Sequence, residues 1–365
     1  VSLLVCGGLF VEQLARRRRI GGSGLTAALT AARLGADVSL ASWVGREEAD
    51  EAFALLDDAN VDRVGVQILD GLTTTYKISD PADLAAPTPR LTQGAVPHRS
   101  RPALPAARLV LCFGTPGFDA IERGWLDRPV ENATLVFDRQ GAQSKISGPA
   151  MAAMLPASTR IMLTNVHEVL TETRARNLVG AIHHLPPDGF EAAIVKAGPW
   201  GATVIGPGGS EVPVGAYPVT VGNSIGSGDV FGGALGARLL AGDELPVAAG
   251  VAAAAAATWV TGTYDQPPAD FAEVIAALRE AQTPVWVDRR RLEATRYEVR
   301  TEPALEGRSA ERVARGLRYL GIETSPSSGG SEVVEVAATG NDPVAATIDA
   351  AIAAMRGSVG ALPGP

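Results

Sequence analysis

The sequence predicts an α/β fold in which a largely parallel sheet carries helices on both faces. Three observations carry that expectation. Short, continuously apolar runs such as Leu3–Cys6 and Leu109–Phe113 have the composition of strands covered on both sides. Helix-length stretches, 25–34 and 49–59 among them, alternate with these runs. A Gly-x-Gly turn, Gly226-Ser227-Gly228, opens a further helix-type segment whose first turn holds Asp229. In such folds ligands bind beyond the carboxyl ends of the strands.

The elements follow in order. Strand-type runs are expected at 3–6, 38–42, 109–113, 134–137, 160–163 and 193–196. Gly35 stands where the helix ending near Leu34 needs a terminating glycine. The alternation over 62–78 suits exposed strands, and the Pro-rich, polar 81–105 reads as a long surface loop. Gln282-Thr283-Pro284 reads as a linker, beyond which 282–365 forms a small α+β module of ββαβα pattern. Its strands are expected at 285–287, 296–301 and 332–337, with helices over 310–320 and from Asp342-Pro343 onward, where Pro takes the first helical position.

Composition narrows the function. The 365 residues contain 41 Gly and 25 Pro, rich in turns but short of a disordered composition. A formal net charge of −8, with lysine only at 77, 145 and 196, argues against nucleic-acid partners. Cys6 and Cys112 sit in apolar runs and read as buried thiols, without a disulfide framework or metal-type spacing. The Ala-rich 248–260 is too short for a membrane span, and the arginines near the start follow the apolar run instead of preceding it as in a secretory signal. The cytoplasm is therefore the expected location, with no membrane partner.

Amides at a helix N-terminus receive phosphate charge, and glycines let the backbone approach it closely. Asp229 at the mouth of such a turn suits a group accepting the proton of an attacking hydroxyl; alone, the segment is also a glycine-rich turn with an ordinary Asp. It is accompanied by Gly21-Gly22-Ser23-Gly24-Leu25-Thr26, by Asn165-Val166-His167-Glu168 after a strand, and by Lys196-Ala197-Gly198-Pro199-Trp200-Gly201 after another. In this order the segments resemble the ribokinase-like (PfkB) carbohydrate kinase family over residues 1–281.

That resemblance implies a three-layer α/β/α kinase domain with a β-lid, and an ATP-dependent kinase that phosphorylates a hydroxyl of a sugar or sugar-like molecule. Asp229 matches the catalytic base, and Gly226, Ser227 and Gly228 match the anion hole. Lys196, Gly198 and Gly201 match the nucleotide side. Asn165 and Glu168 match the element that places Mg²⁺, largely through water; the same pair is also a helix capping box. Glu12, Gly21, Gly22 and Thr26 match the acceptor side. Lys196 also reads as a surface lysine, and the small residues of 251–258 suit either an adenine-flanking helix or close helix packing.

Departures bear on substrate and ion. Glu12 stands where the family usually has Asp, Thr26 where it has Asn, and Asn223 and Ile225 replace the usual Asp and Thr of the last motif, which leaves a monovalent-cation site open. Only the eight residues Gln13–Ile20 separate Glu12 from Gly21, so the lid is expected to be reduced, or supplied by 62–78, with Thr73 on its inner side and Gln93-Gly94 on a sugar-side loop. Arg16–Arg19 fill this gap and read either as a solvated charged turn or as contacts to an anionic substrate or partner subunit. Because the family lid often mediates dimerisation, a homodimer is one expectation. Asp138 follows a strand at the same edge, as a site residue or a structural cap. A nucleoside kinase of this fold, or a non-catalytic nucleotide- or sugar-binding regulator, are the competing readings.

Overall fold

The computed structural model describes residues 3–14, 17–78, 90–93, 104–114, 133–140, 159–187, 189–262, 264–294, 297–301, 317, 322, 332–336, 351–357 and 362–363. The first half carries β1 (Leu3–Cys6), β2 (Phe10–Leu14), β3 (Arg17–Gly21), α1 (Ser23–Arg33), β4 (Val38–Gly45), α2 (Ala49–Asp58), β5 (Asp62–Leu69), β6 (Thr75–Ile78), β7 (Arg90–Gln93), β8 (Leu109–Phe113) and β9 (Thr134–Asp138). Then follow β10 (Thr159–Asn165), α3 (Val166–Thr173), α4 (Leu178–Ile182), β11 (Ala192–Lys196), β12 (Ala202–Ile205), β13 (Glu211–Val214), α5 (Ser227–Leu240), α6 (Leu245–Val260) and α7 (Phe271–Ala281). The last part holds β14 (Val285–Trp286), α8 (Arg289–Ala294), β15 (Tyr297–Thr301), β16 (Glu332–Val336) and β17 (Leu362–Pro363).

Nine strands form one sheet in the order β13-β12-β11-β10-β9-β8-β1-β4-β5. Neighbours from β5 to β11 pair in parallel, and β12 and β13 add an antiparallel edge. Each apolar run divides its side chains between two cores, because successive residues point to opposite faces. Leu3 and Val5 join α1, α2, α5, α6 and α7 on one face, and Leu4 and Cys6 join α3 and α4 on the other. This is the three-layer α/β/α arrangement the alternation predicts.

Local sequence sets the helix ends. Gly35 adopts a φ of 84° just past α1, and the Ala36 amide reaches back to the Ala31 carbonyl, closing the helix in a Schellman-type turn. Helix α2 buries Ala49, Ala52 and Leu56, spaced along one stripe. Helix α5 is buried from Val230 to Ala237, as a helix packed between α1 and α6 must be.

A second sheet of four strands has the order β3-β2-β6-β7. Two expectations change here. Residues 13–20 do not remove the sheet: Glu12 lies within β2, and the run after it turns into an antiparallel partner, with Glu12 opposite Arg19. The short spacing is what a tight hairpin requires. The stretch 62–78 divides, because Asp62–Leu69 pairs with β4 as the outer edge of the large sheet and only Thr75–Ile78 joins the small one. The stretch expected to be a loop also contributes β7 to it.

The C-terminal segment departs from a ββαβα order. A short helix, α8, follows β14; β14 pairs with β17 at the far end of the chain, and β15 pairs in parallel with β16. The expected helix at 310–320 lies outside the described residues except Leu317, which is buried, and 351–357 is helical. Cys6 and Cys112 are fully buried, opposite each other on β1 and β8. No helix among the described residues is long and apolar enough to cross a membrane.

Candidate active site

The carboxyl ends of β9, β10 and β11 meet the N-terminus of α5. Strand register brings them together: Leu163 of β10 lies opposite Asp138 of β9, and Asn165 opposite Lys196 of β11. Lys196 Nζ donates to Asp138 Oδ2 at 2.8 Å, and Asp138 is 1% exposed. Burial pushes the Asp138 carboxyl up, with Lys196 pulling it partly back. Burial works against the Lys196 charge too, but Asp138, Glu168 and Asp229 outweigh it and raise the ammonium above its ordinary range. Lys196 is thus a held cation among three acids, which removes the surface-lysine reading.

Asp229 sits on the first turn of α5. Gly226 precedes the helix at a φ of 83°, left-handed backbone that favours glycine. A Cβ there would lie 3.4 Å from Trp259 Nε1, and that indole donates to the Ile225 carbonyl at 2.7 Å, bracing the turn from beneath. Asn223 Oδ1 accepts from the Ile225 amide, closing the turn locally. The Ser227 amide points at the Ser224 carbonyl at 3.2 Å. The Val230 amide returns to the Gly226 carbonyl at 2.9 Å; a helix has no acceptors of its own for its first-turn amides. A Cβ on Gly228 would stand 3.2 Å from Lys196 Nζ, so the ammonium lies against the Gly226–Gly228 turn.

Burial and the Asp138 charge push Asp229 up to about 7, against the pull of Lys196; Glu12 adds to the rise, and a hydrogen bond from Gln140 opposes it. Gln140 Nε2 donates to Asp229 Oδ1 at 2.5 Å. Gln140 and Trp259 carry no motif signal in the sequence. Only the position of Gln140 two residues beyond Asp138, at the end of an apolar strand, could have pointed to it.

Asn165 and Glu168 form the capping box of α3. Asn165 Oδ1 accepts the Glu168 amide at 2.9 Å, and Glu168 Oε2 accepts the Asn165 amide at 3.0 Å and the Thr164 hydroxyl at 3.2 Å. These bonds present both oxygen side chains at the strand edge. No cluster of three or more His, Cys, Asp or Glu among the described residues is arranged to hold a metal.

On β2, Glu12 Oε1 accepts the Gly22 amide at 3.1 Å and Oε2 accepts Arg19 Nε at 2.6 Å. A Cβ on Gly21 would fall 2.6 Å from the Glu12 carboxyl carbon, so glycine leaves room for this pair. Arg19 is 8% exposed, stacks 5.6 Å above Trp259 and donates to the Asp265 carbonyl. Thr26 is buried on the first turn of α1. The solvated-turn reading of the arginine run therefore fails for Arg19. Arg18 instead pairs with Glu48 and Glu51 at the surface, and Arg16 lies outside the described residues. Thr73 is committed to structure, donating to Glu48 Oε2 and accepting from the Gly45 amide. Gln93 ends β7, and Gly94 lies outside the described residues.

The segment Lys196–Gly201 leaves β11, turns through a 3-10 stretch over Gly198–Trp200 and returns as β12. Gly198 and Gly201 have φ of 53° and 88°.

Residues 131–272 match the sequence model of the pfkB family carbohydrate kinases. No curated protein matches the sequence significantly. Solved structures agree in fold. The nucleoside kinase of Methanocaldococcus jannaschii is 16% identical with a TM-score of 0.59, covering 77% of this chain and 99% of that one. The ribokinase of Thermotoga maritima is 20% identical with a TM-score of 0.60, covering 77% and 99%. The fructokinase of Vibrio cholerae, solved with fructose, ADP and calcium, is 17% identical with a TM-score of 0.60, covering 76% and 98%. The middle of the chain, which carries Asp138, Asn165, Lys196 and the Gly226–Asp229 turn, thus matches the pfkB carbohydrate kinase model, and the chain shares the fold of solved ribokinase-like structures.

Proposed function

We propose that this protein is a kinase that transfers the γ-phosphoryl group of Mg-ATP to a hydroxyl of a sugar or sugar-like small molecule, with Asp229 as base. The observation that carries this is a carboxyl held near pH 7, at a helix N-terminus, beside a half-buried lysine. A general base works best with a pKa near the operating pH. The acceptor oxygen attacks the γ-phosphorus, its proton passes to Asp229, and ADP departs. The first-turn amides of α5 and the Lys196 ammonium take up charge on the transferred group, which is the main work in phosphoryl transfer. Lys196, Gly198 and Gly201 lie on the nucleotide side.

Asn165 and Glu168 suit Mg²⁺ held through water, because each has an oxygen already committed to the capping box. When bound, the ion neutralises phosphate charge. Glu12, Gly21, Gly22 and Thr26 line the acceptor side, with the small sheet as its lid, and Glu12 offers lone pairs to hydroxyls while Arg19 holds it in place. Water exclusion by that lid limits idle ATP hydrolysis.

Nucleosides are the second acceptor class, favoured by the nucleoside kinases among the structures of similar fold. The test is ADP release from Mg-ATP across sugars, sugar acids and nucleosides, repeated with Asp229→Asn. Turnover with at least one acceptor, lost in the variant, is expected. Silence with tight ATP binding supports the regulator instead, and substantial transfer by Asp229→Asn removes the base assignment.

A further inference from the structure

The solved structures of similar fold leave about a quarter of this chain uncovered. The segment beyond α7 brings no motif of its own, yet, besides touching α4 and β13, it reaches one particular turn. Trp200, in the middle of Gly198-Pro199-Trp200-Gly201, is 0% exposed. It shares a core cluster with Val287, Leu292, Leu317, Ile352 and Met355, all from the C-terminal segment. The half-buried Arg356 donates from Nη2 to the Pro199 carbonyl inside the turn. Trp286 approaches from the side, its ring carbon 3.3 Å from where a Gly201 Cβ would stand. The segment is also tied on by backbone pairing of Ala216 with Val285.

We infer that the C-terminal segment is a built-in brace of the nucleotide-side turn, with Arg356 and Trp200 as positioning residues for ATP. This rests on the proposed assignment of Lys196, Gly198 and Gly201 to the nucleotide. The physical reason is the turn's own weakness. Two of its residues sit at positive φ, and its internal bonds are three: Ala197 amide to Gly201 carbonyl, Trp200 amide to Ala197 carbonyl and Gly201 amide to Gly198 carbonyl. A large indole at its centre needs an apolar cover. Among the described residues the cluster that holds it draws on α3, α4, β11 and β12 and also on the far end of the chain. The turn begins one residue after Lys196, so its position sets that of the ammonium beside Gly228.

The experiment uses the full chain and MgADP as probe. Arg356→Met removes the bond to Pro199; Arg356→Lys restores a donor; Ile352→Val trims one methyl group from the shared cluster. Amide hydrogen exchange over 197–201 and MgADP affinity by calorimetry are measured for each, with Lys196→Met as reference. Arg356→Met is expected to speed exchange of the turn about tenfold and to weaken MgADP about fivefold. Arg356→Lys should recover much of both, and Ile352→Val should move both in the same direction by less. Unchanged exchange overturns the brace. Faster exchange with unchanged MgADP affinity overturns its role in nucleotide binding. If Lys196→Met also leaves MgADP binding intact, the fault lies in the nucleotide assignment, a failure distinguishable because the turn still responds to Arg356.

Discussion

Asp229→Asn separates the base assignment from a structural role through the pH dependence of stability. The carboxyl is held at about 7 in the folded chain against an ordinary 3.8. A proton bound more tightly in the folded than in the unfolded chain stabilises the fold below the unfolded value. That stability drains away as pH rises to the folded value. Each pH step between the two removes about 1.4 kcal/mol, so the wild-type chain loses about 3 kcal/mol between pH 5 and pH 7 through this group. Partial access of water to the mouth of α5 trims that toward about 2 kcal/mol. Asparagine carries no such linkage. Urea unfolding of both proteins at pH 5 and pH 8 should show the variant gaining about 2–3 kcal/mol on the wild type at the higher pH. The acidic limb of kcat/KM for the wild type should fall near pH 7. Parallel stability profiles for the two proteins would refute the reasoning, because they would mean that Asp229 is ionised at pH 5 in the folded chain.

Further expectations concern its neighbours. Gln140→Leu removes a donor that favours the charged carboxylate, so the acidic limb of the pH–rate profile should move upward by about half a pH step, with about twofold lower kcat/KM at pH 7. Asp138→Asn leaves the half-buried Lys196 ammonium without its closest counter-charge; a loss of about 2 kcal/mol in denaturant unfolding is expected, with weaker MgADP binding by calorimetry. Arg19→Met strands the Glu12 carboxylate in the same way, at about 3 kcal/mol, and adding Glu12→Gln should recover most of that stability but not acceptor turnover, as a double-mutant cycle would show.

The layered fold was readable because β1, β8 and β11 are short apolar runs of a kind that only a sheet covered on both faces accommodates. The Gly226–Asp229 turn was readable for a related reason: glycine at a positive φ before a helix, followed by an acid, is local chemistry. What the sequence hid is nonlocal. Arg19 looks solvated in a run of four arginines, and only the hairpin that places it opposite Glu12 turns it inward. The stretch 62–69 alternates like a lid strand because it is the edge of the large sheet, half wet on one side. Gln140 is an ordinary polar residue until β9 carries it to Asp229. The C-terminal order eluded pattern reading because β14 takes its partner from the end of the chain, and no periodicity encodes a pairing across so many residues.

The paired depth of Cys6 and Cys112 has a practical consequence. They are the only cysteines of the chain, stand opposite each other on adjacent strands of the central sheet, and are both fully covered. A thiol reagent has no target until that centre opens. Labelling speed therefore acts as a clock for opening of the sheet itself, blind to fraying at its edges or at the chain ends. Ligands that clamp the folded chain should slow this clock in proportion to their occupancy. An acceptor could thus be recognised by the silence of two sulfurs, before any turnover is seen.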